Sequence, residues 1–281
     1  MNARPWRTRL AAMVFALGAA LGLWAFWLEP AGLRVAEHRL ELPGWPEACG
    51  GLRIAVLADL HVGSPWNGLG KLERIVDATR ATTPDLVLAP GDFVIQGVLG
   101  GRFVAPDAAA RVLATTGAPL GTFGVLGNHD HWFDAARVAT ALDAAGVPTL
   151  EDRATTLTSG ACSFSLVGVS DLWEGRHDLD GALADAAPDL PRIVFTHNPD
   201  LFPRMPADVV LTIAGHTHGG QVYLPGIGRP IVPSRFGERY AIGHVVEDGR
   251  HLFVSPGLGT SILPVRFLVP PEITVLVLDP A

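Results

Sequence analysis

The chain has 281 residues, enough for one sizeable α/β core, and its 32 Gly and 23 Pro point to a loop-rich globular protein rather than a disordered one. Its 21 basic and 28 acidic side chains give a formal charge of −7, which excludes a general affinity for nucleic acid. An anionic substrate therefore needs local positive charge; the two cysteines, Cys49 and Cys162, make no zinc or disulfide framework, though an oxidising compartment would let them pair.

Leu10 to Leu28 carries no charge and, as a helix, reaches about 28 Å, enough to cross a bilayer. Residues 1–28 are thus expected to be a transmembrane signal anchor. The run continues through Trp24, Phe26 and Trp27 without a small-residue cleavage site, which favours an uncleaved anchor over a signal peptide. Arg4, Arg7 and Arg9 precede it and Glu29 follows it, so the positive-inside rule puts the rest of the chain outside the cytoplasm, at the periplasmic face of an inner membrane. Gly18 and Gly22 form a GxxxG pair that is read as chance.

Residues 29–51, with Pro30, Pro43, Pro46 and the Gly50-Gly51 pair, are expected to be a linker with one short strand, LRVAEHRLEL. A single domain over 52–281 follows. Its expected strands are RIAVLAD, DLVLAPGD, GTFGVLGN, SFSLVGVS, RIVFTHN and DVVLTIAGH, and after residue 220 QVYL, AIGHVVE, HLFVSP and ITVLVL. Leu72, Ile75, Val76 and Thr79 recur at helical spacing, as do Val138 and Leu142. Strands interleaved with helices predict a mixed α/β layered sandwich.

Five of these strands stop at residues that can bind a metal: Asp59 and His61, Asp92, Asn128 with His129 and Asp130, His197, and His216 with His218. A lone strand-end Asp is usually a turn or cap residue, and a lone His is usually a hydrogen-bonded core residue. Five such ends together differ, because strand ends along one sheet rim converge in space. Imidazole with carboxylate and an amide oxygen, and no thiolate, suits Mn²⁺, Fe or Zn²⁺, with Mn²⁺ favoured. Seven ligand-type side chains exceed the needs of one ion, and Asp92, after a Gly on a tight loop, is the candidate bridge between two.

The ordered set D-x-H, GD, GNHD, H and GHTH resembles the calcineurin-like metallophosphoesterases over about residues 52–279. The GHTHGGQ run, Gly215 to Gln221, with GDFV and GNHDHW, is most similar to the YkuE/YaeI-like membrane-associated bacterial phosphodiesterases. One departure is Ile95, where many relatives carry the second Asp of GDxxD. The resemblance implies a four-layer αββα sandwich and a two-metal phosphodiesterase. It assigns Asp59, His61 and His218 to one ion and Asn128, His197 and His216 to the other, with Asp92 and a hydroxide bridging. It makes His129 the catalytic histidine, oriented by Asp130.

The expected substrate is a phosphate ester, lipid- or envelope-linked esters included. One alternative is a pyrophosphate hydrolase of a lipid-linked nucleotide sugar, like UDP-2,3-diacylglucosamine of the lipid A pathway, with its site facing the cytoplasm; another is a metal-free, non-catalytic scaffold. Arg235 and Arg239 are weaker candidates for phosphate contact, and Ser255 to Ser261 for lining the pocket. ILPVRFLVPP is expected to cover the core rather than touch lipid. In an extended segment His216 and His218 would point to one side, roughly 6.5–7 Å apart, suited to reaching one ion each.

Overall fold

The computed structural model describes residues 5–281, so Arg4 of the expected anchor lies outside the described residues. The apolar run forms helix α1 (Pro5–Leu23), continues through a π-helical turn at Trp24–Leu28, and ends in α2 (Glu29–Ala31). Thr8–Ala31 is long and apolar enough to cross a membrane, and its most apolar 18-residue window is almost entirely unburied. From Leu10 onward the helix is apolar all round rather than on one face, a pattern shared by membrane spans and fully buried helices.

The short strand expected in LRVAEHRLEL is present as β1 (Arg34–Leu42), but it is an edge strand of the first sheet rather than part of a linker, and its whole length pairs in parallel with the last strand. Leu40, Leu42, Trp45 and Cys49 are buried, so this segment is part of the core. The first sheet adds β2 (Leu52–Val56), β3 (Leu86–Pro90) and β4 (Thr122–Val125). Helices α3 (Leu69–Ala81), α4 (Pro106–Leu113) and α5 (Asn128–Ala145) follow these three strands in turn. The second sheet comprises β5 (Arg153–Ser159), β6 (Cys162–Val169), β7 (Arg192–Thr196), β8 (Val209–Ala214), β9 (Gly243–Glu247) and β10 (Arg250–Val254), with α6 (Leu179–Ala184) after β6. Strand β11 (Glu272–Pro280) returns to the first sheet, giving orders β1-β11-β2-β3-β4 and β5-β6-β7-β8-β10-β9.

Three apolar clusters explain the layering. Ile54, Leu88, Leu166, Phe195, Ile213 and Leu276 fill the space between the sheets. Leu72, Ile75, Val138 and Leu142, the residues of the helical spacing, pack on the outer face of the first sheet, while Leu179, Phe202 and Val254 cover the outer face of the second. The chain therefore has the four-layer αββα sandwich that the resemblance implied. QVYL does not become a strand: Val222 and Leu224 make only isolated bridges, to Phe267 and Gly228. Cys49 and Cys162 form a disulfide.

Parallel pairing decides where the polar residues go. Strands β2, β3 and β4 run parallel to one another, as do β6, β7 and β8. Their carboxyl ends lie at one rim of each sheet, where Asp59, Asp92, Asn128, His197 and His216 leave the strands.

Candidate metal centre

The two rims are tied together by hydrogen bonds from the site residues themselves. The His216 N–H donates to both Asp59 oxygens at 2.9 and 3.1 Å, and the Gly215 N–H to the His197 carbonyl at 3.0 Å. His197 Nδ1 donates to the Pro90 carbonyl at 2.8 Å and His61 Nδ1 to the Val94 carbonyl at 3.2 Å. A carbonyl only accepts, so both rings must carry a proton on Nδ1 and turn Nε2 inward, the arrangement that prepares an imidazole to bind a metal.

Asp92 occupies the centre. Its Oδ2 lies 3.3 Å from His61 Nε2 and 3.4 Å from His197 Nε2, while Oδ1 accepts the His129 N–H at 2.9 Å. On one side His61 Nε2 is 3.1 Å from His218 Nε2, and Asp59 Oδ1 is 3.8 Å from the same His218 atom. On the other side His197 Nε2 is 3.1 Å from both His216 Nδ1 and Asn128 Oδ1. With ligand bonds of about 2.0–2.2 Å, donor atoms around one ion stand about 3–3.5 Å apart. The residues therefore fit divalent metal, and Asp59, His61, Asp92 and His218 form a buried metal-binding cluster with all ligand atoms within 4.8 Å of one another.

His216 and His218 do reach different sides of Asp92, but not by extended geometry. Strand β8 has ended at Ala214, and both histidines are left-handed, with φ of 70° and 52°. Asp59, His61 and Asp92 share that conformation, with φ of 52°, 41° and 59°. Each costs on the order of 1–3 kcal/mol and persists only where the surroundings over-determine it. The neighbouring glycines permit close approach: a Cβ at Gly215 would lie 2.8 Å from Asp59 Oδ2, and one at Gly127 would strike the Asp92 carboxylate.

Asp130 is placed differently from the expected role. Its carboxylate accepts the N–H groups of Asp92 and Gly127 at 2.9 Å, Phe93 at 2.9 Å and Val94 at 3.1 Å, and none of these bonds goes to the His129 ring. As the third residue of α5 it sits where orphan N–H groups and the helix dipole attract an anion, so it fixes the Asp92 loop instead of the imidazole. His129 has its ring edge against His61, at 4.7 Å between centroids, and its Nε2 3.3 Å from Ser261 Oγ.

Electrostatics mark the same centre. Burial alone would raise Asp92, yet the His197 and His61 imidazoles hold it well below the carboxylate range. Burial alone would lower His197, and Asp92 and Asp59 raise it well above the histidine range; His61 is raised for the same reason. Burial, with His197 beside it, pushes His216 down to about 3, and burial with His61 holds His218 well below the usual range. In each close pair one ring is raised and its neighbour lowered, and the raised rings, His61 and His197, are the ones facing Asp92. Divalent metal should displace protons from this centre, and because His61 and His197 are raised, affinity should climb as pH rises. Calorimetry in buffers of different ionisation enthalpy checks this; binding without proton release would contradict it.

Sequence reasoning missed Arg266. It is fully buried, and its guanidinium donates to the carbonyls of Gly259, Val269 and Pro256 at 2.6 to 3.1 Å. Gly257 and Gly259 press on Asp59 and His61, so the candidate pocket-lining run Ser255 to Ser261 does border the site. Arg266→Met should cost about 3–5 kcal/mol by orphaning three carbonyls, lowering both melting temperature and turnover. Arg239 is committed to Glu247 through two bonds of 2.6 and 2.8 Å, and Arg235 lies exposed beside Asp200. Ile95 is buried without disturbing the Asp92 contacts.

Residues 52–220 match the calcineurin-like phosphoesterase family. The chain belongs to that family. It is 30% identical to the metallophosphoesterase YkuE of Bacillus subtilis, over 96% of this chain and 93% of that one. It is 32% identical to phosphodiesterase YaeI of Escherichia coli, over 89% and 90%. The UDP-2,3-diacylglucosamine pyrophosphatase LpxG of Chlamydia trachomatis is 27% identical over 90% and 92%. Among solved structures, the NAD nucleotidase of Haemophilus influenzae shares the fold, with TM-score 0.50 and 16% identity over 74% of this chain and 45% of that one. A calcineurin-like phosphoesterase with an intact metal-binding cluster is a metal-dependent hydrolase, which removes the scaffold alternative.

Proposed function

We propose that this calcineurin-like phosphoesterase is a membrane-anchored phosphodiesterase that uses two divalent ions, Mn²⁺ favoured. The observation that carries the reading is the Asp92 carboxylate, with one oxygen at near-equal distance from imidazoles of two separate groups. Asp59, His61 and His218 would hold one ion, Asn128, His197 and His216 the other, with Asp92 shared. When bound, two such ions supply the positive charge a phosphate ester requires and acidify water to a nucleophile near neutral pH, so a chain of net charge −7 needs no basic groove.

The protein's own groups supply orientation. Asp130 holds the Asp92 loop, and Asp92 in turn fixes the backbone of His129. Burial pushes His129 down to about 4, so at neutral pH it acts on the ester oxygens as an N–H donor rather than as an imidazolium.

The candidate membrane helix and the disulfide support an extracytoplasmic site at the inner membrane, since structural disulfides persist in oxidising compartments. The same disulfide weighs against the lipid-linked pyrophosphatase reading, which needs a cytoplasmic site. A reporter fused at the C-terminus tests the topology. Metal analysis of the purified full chain, with hydrolysis of bis-p-nitrophenyl phosphate before and after chelation, tests the chemistry. About two ions per chain and chelator-sensitive, Mn²⁺-restored hydrolysis are expected; undiminished hydrolysis without metal would sink the reading.

A further inference from the structure

The end of the membrane helix is fastened to the catalytic domain rather than tethered by loose chain. The Arg266 N–H donates to the Ala25 carbonyl at 2.9 Å, and Trp66 Nε1 to the Phe26 carbonyl at 2.9 Å. The buried Glu29 carboxylate accepts the N–H groups of Leu268 and Val269 at 2.9 and 2.6 Å, and Lys71 Nζ donates to the Pro30 carbonyl at 2.7 Å. Trp27 stacks on Trp66 with centroids 4.6 Å apart. The π-helical turn Trp24–Leu28 supplies two of these carbonyls. Tryptophans at the end of a span mark the bilayer interface, so the loop bonded to Ala25 and Glu29 stands at headgroup depth.

That loop is apolar where it faces solvent. Ile262 is 70% exposed, Leu263 47% and Leu268 48%, and Leu99, 65% exposed, is bonded to the Ile262 carbonyl through its N–H. Its other end is the active site, since Ser261 meets His129. Ser261 and Arg266 are five positions apart, a reach of at most about 18 Å. Contiguous exposed apolar side chains on a soluble surface mark an interaction site, and continuity with the anchored helix identifies the occupant as lipid.

We propose that the Ser261–Leu268 loop, with Leu99 and Trp66, inserts into the bilayer surface and opens the active site at headgroup level, so that the substrate is a membrane-resident lipid phosphodiester. The proposal rests on the phosphodiesterase reading above and names its substrate class. In the reaction water adds at phosphorus, one P–O ester bond breaks, and the departing alkoxide takes a proton, leaving a phosphomonoester and an alcohol. Apolar side chains of this kind lie about 5–10 Å into the headgroup and acyl boundary, placing the loop and the lipid phosphates side by side.

Two measurements on the full chain, reconstituted in vesicles of phosphatidylcholine and phosphatidylglycerol, test this. An environment-sensitive fluorophore on Ile262→Cys should be blue-shifted and quenched by spin-labelled lipid. The same label on Ser159→Cys, in the β5–β6 hairpin at the opposite end of the second sheet, should be neither. Equal exposure to water at both positions would overturn the membrane placement, whatever the activity. In the second measurement, the combined Ile262→Ser, Leu263→Ser and Leu268→Ser variant should keep wild-type kcat/KM on bis-p-nitrophenyl phosphate and lose about tenfold or more on vesicle phosphatidylglycerol. Equal rates of variant and wild type on the vesicles, or a wild type active only on the soluble diester, would overturn the substrate assignment. Failure on the soluble diester itself would instead refute the phosphodiesterase reading, with the fluorescence result standing apart from it.

Discussion

Asp92→Ala is expected to strip the protein of the two metal ions proposed above and abolish hydrolysis of bis-p-nitrophenyl phosphate while leaving the sandwich folded. Its Oδ2 faces His61 and His197 at 3.3 and 3.4 Å, so one truncation removes a donor from each group. Its Oδ1 also holds the His129 N–H, so the start of α5 loses its tether at the same time. The fold should survive because the apolar clusters on both faces of each sheet are built mainly from strand and helix residues such as Ile54, Leu88, Leu72, Val138 and Leu179, away from this rim. His129→Ala should behave in the opposite way, with metal content retained and turnover reduced about 10²–10⁴-fold, as the proposed role of assisting charge development rather than holding an ion requires. Metal content by elemental analysis, kcat on the diester and circular dichroism, measured on both variants, separate the roles. Retention of both ions in Asp92→Ala would rule out the shared carboxylate, and wild-type turnover in His129→Ala would remove that histidine from the chemistry.

The contrast between these residues also shows what a linear reading can and cannot reach. The ligand-type residues were legible because each ends a short apolar run, and parallel strands deliver their carboxyl ends to a common rim. Asp130 was legible as important but not in its role. A carboxylate at the third position of a helix meets four backbone donors only once the Asp92 loop folds over it, and that loop is 38 residues away in sequence. The same holds for β1, read as a strand within a linker, because its partner β11 comes from the far end of the chain and its parallel register leaves no local signal. Arg266 was invisible for a different reason. One arginine in an apolar loop reads as a solvent-facing interruption, yet here its donors are consumed by carbonyls of the loops that support Asp59 and His61. The left-handed backbone at His216 and His218 overrode the extended spacing argument. Strain of that kind is set by the tertiary surroundings and leaves no pattern in the sequence.

Loss of the Cys49–Cys162 bond should produce the largest stability change of any substitution remote from the metal centre. Cys49 follows β1 and Cys162 opens β6, so the bond joins the chain leaving the first sheet to the second sheet across the buried Trp45 and Phe164 rings, 5.5 Å apart. The Trp45 Nε1–H donates to the Cys49 carbonyl at 3.0 Å, holding the turn against that ring pair. With the cysteines 113 positions apart, the loop closed by the bond is worth about 4–5 kcal/mol of denatured-state entropy in the chain-entropy account. For a domain of this size that corresponds to a fall in melting temperature of about 10–20 °C. Cys49→Ser with Cys162→Ser, and wild type held under reductant, should therefore melt together and well below the oxidised protein. Hydrolysis of the soluble diester at low temperature should be unchanged in both, because Cys162 lies at the end of β6 opposite the metal rim. Equal melting of the reduced and oxidised chains would show that the bond contributes nothing. It would also remove the main physical support for an extracytoplasmic domain, since only an oxidising compartment lets that entropy gain be realised.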